Sequence, residues 1–108
     1  MSFLYVIAAS ENGPCKLGRS ADPERRRRQL QTGHSETLQV YFAKEVGDET
    51  NLMEAAVHRS ISYKRMRGEW FDITVSDAIT EIEFAIMTHS GNLLPTSASE
   101  RLDQFRGL

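Results

Sequence analysis

The hydrophobic pattern changes period repeatedly along the chain, and each change marks a new element. Residues 3–9, FLYVIAA, form a continuous aromatic and β-branched run of a length suited to a buried strand. Glu11-Asn12-Gly13-Pro14 has the composition of a turn, and Cys15-Lys16-Leu17-Gly18 returns as a second strand. The chain therefore opens with a β-hairpin. At Asp22-Pro23-Glu24 the signals switch to a helix start: a carboxylate to cap free amides, a proline suited to the first helical position, and a second carboxylate near the positive end of the dipole. That helix is predicted to end near Gln31, before Gly33.

Residues 38–46 alternate Leu38, Val40 and Phe42 against Gln39, Tyr41 and Ala43, a period of two that predicts a third strand in the same sheet. Gly47-Asp48-Glu49-Thr50 opens a second helix predicted to reach about Ser62, with Leu52, Met53, Ala55, Ala56, Val57 and Ile61 on its apolar face. Residues 63–68 read as a cationic connection and residues 69–73 as a short extended segment. Thr74 and Asp77 offer a capping pair for a third helix, striped by Ala78, Ile79, Ile82 and Ile86 and predicted to stop at Gly91. Beyond it, Ser97 and Glu100 form a capping box for a short amphipathic helix carrying Leu102 and Phe105. The class is α+β with a small antiparallel sheet, residues 1–90 forming the domain and residues 91–108 a C-terminal tail.

Length limits this to one core, since 108 residues suffice for a single domain without disulfide staples and the lone Cys15 can form no internal bridge. No apolar run approaches the ~20 residues of a membrane span, and the N-terminus lacks the basic start of a secretory signal, so a cytoplasmic protein with no membrane partner is expected. The net charge of -2 argues at face value against a nucleic-acid partner. Its distribution reverses that inference. Residues 16–67 are net +4 and residues 69–103 net -6, with six cations between Lys16 and Arg28 and four between Arg59 and Arg67. Lys16 and Arg19 are expected on the hairpin surface, and Arg19, Arg25, Arg28, Lys64, Arg65 and Arg67 become candidate contacts to a nucleic acid.

Arg25 to Arg28 step ~100° each around a helix, so they cannot share one face. Arg27 falls in line with Pro23 and Leu30, which leaves Arg26 to point elsewhere, and guanidinium is the side chain suited to gripping phosphate in two directions. On the second helix, Asn51, Glu54 and His58 project on one side at i, i+3 and i+7. A carboxylate there is either part of a solvated polar face or a ligand for a hard divalent cation, which often uses only one or two protein carboxylates. Tyr5, Trp70 and Phe71 read first as core aromatics.

The ordered series FLYVI, KLGRS, DPERR, RRQLQTG, MEAAVHRSI and RMRGEWFDI resembles the GIY-YIG nuclease superfamily. Its closest branch is the phage-type and meiotically up-regulated type, with Lys-Ile-Gly in the second motif and a late Gly-Glu-Trp-Phe. The resemblance covers about two thirds of the chain and implies a three-stranded antiparallel sheet flanked by helices. It places Tyr5 in the first motif, Lys16 and Gly18 in the second with Lys16 in place of the usual tyrosine, Arg26 on the first helix, and Glu54 as the metal ligand followed by His58. The implied chemistry is hydrolysis of a DNA phosphodiester with one divalent cation, Mg²⁺ or Mn²⁺. Glu54 holds the ion, and Arg26 stabilises the non-bridging oxygens. Tyr5 orients or deprotonates water, its pKa lowered by nearby cations. Lys16 is a phosphate ligand or a base of lowered pKa. Two alternatives stand beside the endonuclease: a catalytically weakened nucleic-acid-binding module, and a protein-interaction domain using the acidic helix and the tail. The tail is also a candidate surface for a second copy of the chain or for a targeting partner.

Overall fold

The computed structural model describes residues 2–89. It contains β1 (Phe3–Ala8), β2 (Cys15–Ser20), α1 (Pro23–Gln31), β3 (Gln39–Glu45), α2 (Thr50–Ser60), β4 (Arg65–Arg67), β5 (Trp70–Phe71) and α3 (Val75–His89), with single 3₁₀ turns at Gly47–Glu49 and Ser62–Lys64. The helix starts follow their sequence signals. Asp22 accepts a hydrogen bond from the Arg25 amide at 3.1 Å, and Thr74 Oγ1 accepts one from the Asp77 amide at 3.1 Å. The Gly91 stop, the capping box and the amphipathic helix expected in the tail lie outside the described residues.

All strand pairings are antiparallel and the order is β3-β1-β2-β5-β4. The class matches the α+β expectation, but the expected three strands are five. The two extra strands are three and two residues long, too short to display a period of two, and β4 lies inside the segment read as a connection. At Gly13, φ is +83° and a side chain would run into the Ile73 carbonyl, so the β1–β2 turn requires glycine.

Alternation along β1 divides the core between the two faces of the sheet. Leu4, Val6 and Ala8 join Cys15, Leu17, Phe71 and Ile73 beneath α2 and α3, which contribute Met53, Val57, Ala78 and Ile82. Tyr5 and Ile7 face the other way, where they meet Leu38, Leu30 of α1, Val40 and Trp70. Gln31 ties α1 to this second layer by accepting the Leu38 amide at 2.8 Å. Cys15 is fully buried, and its thiol donates to the Ile73 carbonyl at 3.2 Å. Burial pushes that thiol up to about 11, so it is a structural group rather than a reactive one.

Lys16 corrects an expectation. It is 7% exposed rather than a surface cation, because β5 covers β2 on that flank, with Lys16 paired to Trp70 in the sheet register. No helix among the described residues is long and apolar enough to cross a membrane.

Candidate functional site

Strand β5 pairs with β2 only at Cys15 and Lys16, and where it stops the flank of β2 is open to other elements. The Leu17 amide donates to the Glu69 carbonyl at 3.2 Å, while the Leu17 carbonyl accepts from His58 Nε2 at 2.8 Å. A carbonyl has no proton to give, so Nε2 carries the hydrogen of this bond and Nδ1 is left outside it. One turn earlier on α2, Glu54 accepts from Arg19 Nε at 3.2 Å. Helix α2 therefore lies along β2 with Met53 and Val57 in the core and Glu54 and His58 half-buried at its margin. Instead of the Glu54–His58 contact that the helical spacing allows, each side chain has a partner on β2.

From the other face comes Tyr5, opposite Gly18 in the register. A Cβ at Gly18 would stand 2.6 Å from the Tyr5 hydroxyl and 3.0 Å from Glu69 Oε1. Gly18 thus leaves the space that brings the phenol and the carboxylate to one point. The same Glu69 oxygen accepts from Lys16 Nζ at 3.1 Å. Glu54, His58 and Glu69 each offer a ligand atom, all within 4.8 Å of one another. The strand margin beside Gly18 therefore gathers two carboxylates and an imidazole, with Arg19 and Lys16 pairing one carboxylate each.

The Tyr5 pKa is raised above its ordinary value of 10, mainly by burial. A hydrogen bond from Arg26 and its positive charge pull it down, and Glu69 and Glu54 push it up. The expectation that neighbouring cations lower it is overturned: desolvation dominates, and the group is a phenol at neutral pH. Its proximity to Arg26 joins α1 to the site, whose Nη1 also donates to Gln29 at 3.2 Å.

The other predicted contacts distribute around this centre. Arg25 is exposed and, with Ser20, Ala21, Asp22, Arg26 and Gln29, lines a groove of about 210 Å³. Arg28 is exposed on the last turn of α1. Lys64 lies over the Tyr63 ring, with its ammonium 5.5 Å from the centroid. Arg65 covers Phe71 at 5.1 Å and donates to the Gly68 carbonyl. His58 packs on the same Phe71 ring at 5.1 Å, whereas Arg67 pairs with Trp70 and so belongs to the opposite face. Arg27 is paired with Glu24 at 2.6 Å. The residue missed in the sequence is Glu69. The Gly-Glu-Trp-Phe string was its only signal, and no spacing ties it to Glu54.

The family model for the T5orf172 domain matches residues 2–86. No curated protein and no solved structure matches the chain. The match overturns the expected membership of the GIY-YIG nuclease superfamily. Short strings such as Lys-Leu-Gly on a strand and a lone glutamate on a helix constrain few positions, whereas the T5orf172 match spans every element from β1 through most of α3. Roles for Tyr5, Arg26, Glu54 and His58 consequently rest on the geometry just described. The chain belongs to the T5orf172 domain family, a nuclease-associated, DNA-binding type of domain.

Proposed function

We propose that this domain is a metal-dependent endonuclease that hydrolyses DNA phosphodiester bonds. One observation carries the reading: the ligand atoms of Glu54, His58 and Glu69 lie within 4.8 Å of one another, beside a buried phenol that interacts with Arg26. Two carboxylates at the margin of a strand fit a hard cation such as Mg²⁺ or Mn²⁺, which prefers oxygen ligands and fills its remaining positions with water and phosphate oxygens. Glu54 and Glu69 would hold it. When bound, the ion supplies positive charge against the scissile phosphate and the departing 3′ oxygen.

The chain's own groups account for the rest. Arg26 draws the non-bridging oxygens toward the site and stabilises the charge they gain, an effect available without solvent reorganisation. Tyr5, held as a phenol, donates a hydrogen bond and orients the attacking water rather than deprotonating it. His58 is held by the Leu17 carbonyl, and Nδ1 remains to receive the water's proton. Lys16 is committed to Glu69 and so fixes that carboxylate's direction. Arg19 pairs with Glu54 and is 46% exposed at its side chain, so it would turn from that carboxylate toward the phosphate once the cation took its place.

The pairing of both carboxylates with cations also favours a second reading, a DNA-binding domain that does not cut. Purified protein incubated with plasmid, single-stranded and branched DNA, with Mg²⁺ or Mn²⁺, separates the two. Wild type is expected to cleave, with Glu54→Gln, Glu69→Gln and Arg26→Ala each losing at least about a hundredfold in rate. Salt-sensitive binding with no product under either metal would establish the second reading and end the first.

A further inference from the structure

On the α1 side of the sheet, a cavity of about 450 Å³ lies between Pro14, His34, Glu36, Met66, Arg67 and Trp70. None of these residues belongs to the candidate hydrolytic site. Trp70 sits against the buried Tyr5–Ile7–Leu38 cluster, and the His34 ring stacks on it, with centroids 5.3 Å apart and planes 21° from parallel. Met66 is 58% exposed at the rim. Among the described residues Arg67 has no ion-pair partner. The cavity therefore combines aromatic rings, a soft thioether, an acceptor carboxylate and a cation.

We infer that this cavity receives one unpaired nucleobase of the bound DNA strand, so that the substrate class is DNA with a base outside the stack. This inference rests on the DNA-binding reading above. A flat heteroaromatic ring is the ligand that aromatic side chains accept without regard to base identity. A base inside a duplex is stacked on its neighbours, so only an extruded or unpaired one can enter. Arg67 offers positive charge for a phosphate flanking that nucleotide, and Glu36 can accept a hydrogen bond from an exocyclic amino group. Position supports the same occupant. Lys16 pairs with Trp70 across the sheet, and Gly18, the centre of the hydrolytic cluster, is two residues further along β2, roughly 7 Å at strand rise. A strand with its base in the cavity would lay a neighbouring phosphate beside Glu54 and Glu69.

Trp70 is the only tryptophan in the chain, so its emission reports on the cavity directly. The test uses the full chain in EDTA with three labelled duplexes: fully paired, carrying one bulged base, and carrying an abasic residue at the bulge. Anisotropy gives affinity and Trp70 emission gives occupancy. The bulged base is expected to bind about tenfold more tightly than its abasic counterpart and to quench Trp70. His34→Ala should abolish that preference while leaving affinity for the paired duplex unchanged. Trp70→Phe should retain the preference and lose the signal. Equal affinity for bulged and abasic DNA, unchanged Trp70 emission on binding the bulge, persistence of the preference in His34→Ala, or no DNA binding would each overturn the inference. Because no metal is present, a tenfold preference without cleavage in the metal assays sinks only the hydrolytic reading. Cleavage of paired DNA without any preference sinks only this one.

Discussion

A methyl group at residue 18 would lie 2.6 Å from the Tyr5 hydroxyl, 2.9 Å from its ring carbon Cζ and 3.0 Å from Glu69 Oε1. The Tyr5 ring is fixed in the core at 1% exposure and cannot swing away without a shift of its strand, whereas Glu69 can move only by loosening its bond to Lys16. Gly18→Ala should therefore fold, with a stability cost of about 1–3 kcal/mol for the overpacked contact. It should also displace the phenol and the carboxylate from each other. A misplacement of this size costs about a hundredfold where catalysis depends on orientation. Single-turnover cleavage beside a thermal melt checks it, and a folded variant that cleaves at the wild-type rate would remove Tyr5 and Glu69 from the reacting centre.

At the scale of elements, the sequence was legible where one short signal decides and opaque where two segments must meet. Asp22, Pro23 and Glu24 announce α1 because capping is local, and the Asp22 carboxylate does accept the Arg25 amide. Alternation along residues 38–46 marks β3 for the same reason. Glu54 and His58 share a helix, so their common side could be read from spacing alone. Glu69 could not, because its place depends on where β5 stops and on the Leu17 backbone that it meets. The burial of Lys16 depends on the same pairing. Arg65 and Arg67 look equivalent in sequence, yet an irregular β4–β5 register sends one to Phe71 and the other to Trp70. The cap carries a consequence for the site, since α1 presents Arg26 to Tyr5. Removing it in Asp22→Ala should destabilise the domain by about 1 kcal/mol, lowering the urea midpoint. It should also slow cleavage more than it weakens DNA binding. A variant with an unchanged midpoint would mean that Pro23 and the core contact of Leu30 hold the helix start without the cap.

For the whole molecule, the net charge of -2 is the sum of two unlike sides of one sheet. Helix α1, with Arg25 to Arg28, covers the face that carries Tyr5 and Ile7, while α3, with Asp77, Glu81 and Glu83, packs on the opposite face with α2. DNA approaching this domain meets a field that favours the α1 side and opposes the α3 side, so charge sets orientation as well as affinity. Within the basic side the cations differ in availability. Lys16, Arg19 and Arg27 are paired with carboxylates, whereas Arg25 and Arg28 are exposed on α1 and able to take phosphate outright. Replacing both with glutamine should weaken binding to every DNA sequence alike and flatten the plot of log affinity against log salt by about one unit per residue. The cleavage rate at saturating DNA should stay within about twofold of wild type, because neither side chain is required to reach the scissile phosphate. Anisotropy titrations across a salt series, run beside single-turnover cleavage, measure both quantities on the same protein. An unchanged salt slope would place the DNA away from α1, and a collapsed rate with an unchanged slope would move one of these arginines into the reacting centre beside Arg26.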